Sequence, residues 1–179
     1  MASPSDALDT AEIFERHHDF VWRSLAHLGV PNGAVDDATQ DVFIVVHRRI
    51  DDYQRSMPIR SWLYGIARRI AYRYRARAAK HRRVRAVSTP DAVAPDEAVA
   101  TREAADLVSA FLAEQPAEQR EVFILAELEG LSGPEIAAAL GTKLNTVYSR
   151  LRLSRQQFAR VVKRSRAHAR REMRHVPAR

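Results

Sequence analysis

One stretch, Gln119 to Phe158, limits the fold more than any other, because it sets two helix-forming runs around a forced turn. Pro134 falls just inside the start of the first run, where its missing N–H costs nothing. Ile136, Ala137 and Leu140 then repeat at helical spacing. Gly141 follows at once and tolerates the left-handed conformation that ends a helix. Asn145 is a candidate cap for the second run, in which Leu144, Val147, Leu151 and Phe158 share an inward face. The opposite face carries Asn145, Tyr148, Ser149 and Arg152. Short helix, tight turn, longer helix with a polar and basic outer face is the helix-turn-helix pattern.

The rest of the chain agrees with an all-α fold. Gly is scarce, Ala, Leu, Arg and Glu are frequent, and apolar residues make up 46% of the 179, enough to fill one domain or two small ones. The formal charge is +7, which points to a polyanionic partner such as nucleic acid. There is no Cys, so thiol catalysis, disulfides and thiolate zinc sites are excluded. The seven His form no metal-ligand spacing and no Gly loop cradles a phosphate, so no enzyme, metal or cofactor is expected. His17 and His18 fall on a polar helical face and are expected at the solvent. The polar, acidic N-terminus does not read as a signal peptide, and no apolar run nears the roughly 20 residues of a membrane span. Membrane insertion is not expected, and the location expected is cytoplasmic.

Periodicity predicts helices over 11–28 and 35–50, then a connector over 51–57, then a long helix opened by Pro58 and reaching about Arg83. In that long helix Ile59, Trp62, Leu63, Ile66, Ala67 and Ile70 face inward. From Arg68 to Arg85 it carries nine Arg and Lys and no acid, a density better explained by phosphates than by a merely solvated face. Composition then flips to the Pro-rich, acidic run Val87–Arg102. The chain therefore divides into a helical domain over 11–85, a flexible linker over 86–102, a helix-turn-helix domain over 103–160 and a basic tail over 161–179. The tail reads either as an extension of the last helix or as a disordered end.

Both halves carry motifs in a telling order. The first contains Asp37-x-x-Gln40-Asp41-Val42-Phe43 and Trp62-Leu63-x-x-Ile66-Ala67-Arg68. The second contains Gln119-Arg120-Glu121-Val122-Phe123, Glu127-x-Glu129-Gly130-Leu131-Ser132, Glu135-Ile136-Ala137-x-x-Leu140-Gly141 and Thr146-Val147-x-Ser149-Arg150-Leu151. Over about residues 12–160 the chain resembles the extracytoplasmic-function (ECF) group of the sigma-70 family, the dissociable promoter-recognition subunits of bacterial RNA polymerase.

That resemblance implies partners and roles. The first domain would act like sigma region 2, binding core polymerase and the −10 element. The second would act like region 4, binding the −35 element. Asp36, Asp37, Gln40 and Asp41 would face the clamp helices of the polymerase's largest subunit; the same acids also compensate a helix dipole. The flap of the polymerase's second-largest subunit would be a further contact on the core. Tyr53, Gln54, Arg55, Arg68, Arg69, Tyr72, Arg73 and Arg75 would handle −10 DNA, where opened bases gain roughly 1–3 kcal/mol each by stacking on aromatic rings. Tyr64 and Tyr74 are further aromatic candidates by type, whereas Trp62 falls on the apolar stripe. Lys143, Asn145, Thr146, Tyr148, Ser149, Arg150 and Arg152 would meet −35 DNA, with Arg155 and Arg160 on phosphates. An anti-sigma factor is a further implied partner. Arg69, Arg73, Thr142, Tyr148 and His47 depart from the common family pattern, so no relative's promoter sequence transfers to this chain.

A linker of about 20 residues spans roughly 25 Å on average and about 65 Å extended. Its extended length exceeds a DNA turn of about 34 Å. Two weak contacts joined in this way gain avidity of roughly 10²–10⁴. Two other readings stay open on sequence grounds: an autonomous helix-turn-helix regulator, and a sigma-like protein that titrates an anti-sigma factor. The first leaves residues 11–85 unexplained, and the second leaves the basic run from Arg68 without a purpose.

Overall fold

The computed structural model describes residues 9–84 and 99–174, with side chains over 9–80 and 104–167, and every regular element among them is helical. Helix α1 spans Thr10–His27 and is capped by Asp9, whose carboxylate accepts from the Ala11 N–H at 2.9 Å. Ile13, Phe20, Val21 and Leu25 recur on its buried face. It stops at Gly29, whose φ of 82° suits a residue without a side chain. A 3₁₀ turn over Asn32–Ala34 leads into α2, Val35–Arg49. A second such turn, Ile50–Asp52, starts the connector to α3, Ile59–Val84. The Pro58 carbonyl accepts from the Ser61 and Trp62 N–H groups, so this proline stands at the helix entrance.

The chain packs as two compact units. The first holds α1, α2 and α3 together with α6, Gly133–Leu140. Its centre is Val21, Leu25, Val42, Val46, Leu63, Tyr64 and Ala67, all fully buried. Each aliphatic or aromatic side chain so removed from water contributes about 1.5–3 kcal/mol before entropy is counted. Helix α6 begins with a reciprocal cap: the Ser132 N–H donates to the Glu135 carboxylate at 2.8 Å, and the Glu135 N–H donates back to Ser132 Oγ. It ends at Gly141, φ 62°, as its sequence position predicts. Buried Ser61 of α3 donates from Oγ to the Glu135 carbonyl at 2.9 Å, which fixes α6 against α3.

The second unit holds α4 (Val99–Glu114), α5 (Ala117–Phe123), a π-helical turn over Ile124–Leu128 and α7 (Leu144–Arg174). Phe111 and Leu112 of α4 and Phe123 and Ile124 form its core, and Phe158 of α7 closes it. The Phe158 ring lies 5.0 Å from Phe111 and 5.4 Å from Phe123, both tilted, as ring quadrupoles prefer.

Several local expectations change. Leu144 is 37% exposed rather than inward. Asn145 is not the cap of α7, because the Thr146 and Val147 N–H groups already bond to the Lys143 carbonyl. That places Lys143 at the cap and Asn145 inside the first turn. His17 and His18 are half-buried, not solvent-facing. Most of the expected linker, residues 86–98, lies outside the described residues, and α4 already begins at Val99. Residues 161–174 continue α7 as helix.

Candidate nucleic-acid interface

Two helical faces carry runs of exposed positive charge, one in each unit. On α3 the buried stripe Leu63, Tyr64, Ile66, Ala67, Ile70 and Ala71 dictates which residues look outward. These are Arg68, Arg69, Tyr72, Arg73, Arg75, Arg77 and Lys80, all exposed. Tyr72 is 74% exposed and offers a free ring among these cations. Tyr64 is fully buried and cannot serve a base. Trp62 is half-buried, with its ring centroid 5.0 Å from that of Tyr53. The Tyr53 hydroxyl donates to the Met57 carbonyl, and burial raises its pKa, so this ring pins the connector 53–57 to α3. Gln54 and Arg55 stand exposed on that pinned loop. A groove of about 650 Å³ runs from Met57 and Trp62 past Arg68 and Arg69 to Tyr72, bounded on its far side by Ala138–Gly141 of α6.

The acidic set on α2 splits. Asp36, Asp37 and Gln40 are exposed at its start. Asp36 accepts from Trp22 Nε1 of α1 at 2.8 Å. Asp41 instead turns toward α3, where it accepts from the Tyr74 hydroxyl at 3.1 Å and lies 3.8 Å from Arg73. Arg85 and the side chains of Arg82 and Arg83 lie outside the described ones. Sequence reasoning did not anticipate the half-open aromatic patch of Phe14, His18 and Phe43, in which the two Phe rings meet edge-on at 4.8 Å. Phe14 stands one residue from buried Ile13 on α1, yet it is 45% exposed. His17 keeps a lowered pKa, from burial first and then from Arg60 and Arg16, and is therefore neutral at neutral pH.

On α7 the buried stripe is Val147, Leu151 and Ser154. Asn145, Tyr148, Ser149 and Arg152 are exposed opposite it, as spacing predicts, and Tyr148 is 52% exposed. Lys143 is exposed at the turn, and Thr146 is half-buried with its carbonyl accepting from Ser149 Oγ at 3.0 Å. Arg150 is different. Its side chain is only 25% exposed and pairs with Glu118 of α5. Arg155 pairs with Glu127 at 2.7 Å. These partners are 32 and 28 residues away, so no local pattern could have found them. Among the described residues no group of acids and histidines could hold a metal, and no helix is long and apolar enough to cross a membrane.

Two family profiles match this arrangement: Sigma-70 region 2 over residues 13–81, and Sigma-70, region 4 over residues 106–158. The chain is 30% identical to the ECF RNA polymerase sigma-E factor of Escherichia coli (strain K12), covering 74% of this chain and 76% of that one. The chain belongs to the ECF RNA polymerase sigma factors. A second relative of this sigma factor is NccH of Alcaligenes xylosoxydans xylosoxydans, 28% identical over 92% of each chain. A solved structure of CnrH in complex with the cytosolic domain of CnrY superposes with a TM-score of 0.65 at 25% identity, covering 86% of this chain and 87% of that one. The α3 face of the sigma factor falls inside the region 2 match, and the start of α7 inside the region 4 match.

Proposed function

We propose that this sigma factor joins core polymerase through the start of α2, opens −10 DNA on α3 and reads −35 DNA with the start of α7. The observation that carries this reading is the exposure of Arg68, Arg69 and Tyr72 on one helix and of Asn145, Ser149 and Arg152 on another, each backed by a buried apolar stripe. Arg side chains neutralise phosphates, and Tyr72 gives an unstacked base a flat partner. Arg152 has the reach and planarity for a bidentate contact to guanine, worth roughly 1–3 kcal/mol of discrimination. Arg150 belongs to the scaffold through Glu118, and Lys143, Tyr148 and Thr146 flank the reading face. Asp36, Asp37 and Gln40 are the polymerase-facing polar residues, whereas Asp41 organises α3.

The functional halves are residues 11–85 and 99–160, joined by a linker over 86–98 because α4 already begins at Val99, and neither is an enzyme. The protein works in the cytoplasm, where its template is. CnrH forms a complex with the cytosolic domain of CnrY; an anti-sigma factor is a proposed partner of this chain.

The test is reconstitution with core polymerase. Purified sigma factor plus core should start transcription at a discrete promoter, while sigma factor alone should not bind that promoter tightly. Tight, specific binding without core would instead identify an autonomous regulator. Binding to an anti-sigma protein with no initiation would identify a titrating mimic.

A further inference from the structure

The region 4 match ends at residue 158, but α7 runs on to Arg174 as one helix. We infer that the continuation of α7 past Phe158 is a second DNA-binding surface, a sequence-blind clamp on the phosphates of duplex flanking the −35 contact. This rests on the proposed −35 role of the start of α7.

The helix is held where it leaves the family match. Phe158 and Val161 pack against the core around Phe111, with Val108 alongside, so the direction of the continuation is set by buried side chains. Opposite them, at steps of three and four residues, the exposed positions Asn145, Ser149, Arg152 and Gln156 run into Arg160 and Lys163. One face of one helix thus passes from the reading residues to the cations. At about 1.5 Å per residue, Arg160 lies about 12 Å beyond Arg152 and Lys163 about 16 Å beyond it. The major groove is about 12 Å wide, so these cations reach past the base pair that Arg152 is proposed to read and toward the flanking phosphates.

Charge decides the partner. From Gln156 to Ala167 there are four cations, Arg160, Lys163, Arg164 and Arg166, and no acid. All four are exposed and none has an ion-pair partner among the described residues. Earlier in α7, Arg150 and Arg155 are neutralised by Glu118 and Glu127. The reading end therefore has little free charge beyond Lys143 and Arg152, and phosphate attraction has to come from elsewhere on the helix. Arg160 with Lys163 and Arg164, and Lys163 with Arg166, sit three or four residues apart, a spacing at which like charges destabilise a helix. A polyanion removes that repulsion; a neutral apolar partner would not. Duplex DNA is the polyanion that the same face already meets.

The experiment compares the full chain, bound to core polymerase, on duplex carrying its −35 sequence and on duplex with that sequence scrambled, across a salt series. In the variant with Arg160, Lys163, Arg164 and Arg166 all changed to Gln, log K against log salt should flatten by about 2–4, since each phosphate contact contributes about 0.9 to the slope. Binding at low salt should weaken by about tenfold or more, while the ratio between the two duplexes stays unchanged. A companion variant with the three Arg changed to Lys should keep the parental slope, which separates charge from folding. An unchanged slope in the Gln variant overturns the inference. So does weaker binding to core polymerase alone with the slope intact, which would make the partner an acidic protein surface, or a preference for single-stranded RNA over duplex. If even the unmodified protein fails to separate the two duplexes, the −35 reading fails, and the slope comparison still judges the clamp by itself.

Discussion

The Tyr74 hydroxyl of α3 donates to the Asp41 carboxylate of α2 at 3.1 Å, and Arg73 stands 3.8 Å from the same carboxylate. One acid therefore ties the helix proposed to face polymerase to the helix proposed to face −10 DNA. Asp41 and Tyr74 belong to the relative placement of two helices, and Arg73 is partly neutralised before any phosphate approaches.

Tyr74→Phe should cost little stability, up to about 1 kcal/mol, because the bond is only part-buried. The more telling effect is on pH dependence. Burial, then the bond to Asp41, raises the Tyr74 pKa above its usual value of 10. The folded state thus resists losing that proton, so the contribution is complete below pH 10 and declines as pH rises through the folded value. Urea melts at intervals from pH 8 to pH 12 should show a smaller alkaline loss in the variant. Equal losses would mean that the bond contributes nothing in solution.

The Ser132–Glu135 cap titrates in the opposite sense. Side-chain and backbone bonds from Ser132 hold the Glu135 carboxyl below its ordinary value near 4.5. Its contribution is present above pH 4.5 and fades as pH falls through the lowered value. Ser132→Ala should lower the thermal midpoint by an amount matching about 1 kcal/mol at pH 7. The difference between variant and parent should narrow on acidification, and a difference that grows would contradict the cap.

Much of this was legible in the sequence, and the exceptions share a cause. Pro134, Gly141, the stripe of α3 and the outward set Asn145, Ser149 and Arg152 all follow from local periodicity and backbone preference, which act within a few residues. What escaped is long-range. Glu118 captures Arg150 from α5, Tyr74 captures Asp41 across two helices, and the packing of α1 on α2 leaves Phe14 half outside. The π-helical turn over Ile124–Leu128 escaped as well, since its composition is that of any α-helix.

On the proposed −10 face, Tyr72→Ala should slow open-complex formation by the equivalent of roughly 1–3 kcal/mol of lost stacking, and Tyr72→Phe should keep most of the parental rate. A promoter already mismatched over the −10 element should hide most of the defect, because the stack is broken beforehand. Stopped-flow fluorescence of a base analogue in that element measures both. An alanine variant as fast as the parent on intact duplex would remove Tyr72 from the strand-opening surface, despite its 74% exposure.

The pair Arg150–Glu118 offers the sharpest division between scaffold and reader. If Arg150 is held by Glu118, Arg150→Ala and Glu118→Gln each loosen the same contact, so their stability effects should not add in the double variant. Each loss should be at most about 1 kcal/mol, because Glu118 is largely exposed. Glu118→Gln also frees a cation beside the reading face. Promoter affinity at low salt should then rise and the salt slope steepen by about 1, with no change in which base is preferred. Arg152→Ala should do the reverse: it leaves stability alone and relaxes preference at one base pair by roughly 1–3 kcal/mol. Binding selections on promoters randomised at −35, run with core polymerase and each variant, separate the two. Relaxed preference in Arg150→Ala with Arg152→Ala unaffected would exchange their roles and shift the reading edge of α7 toward α5.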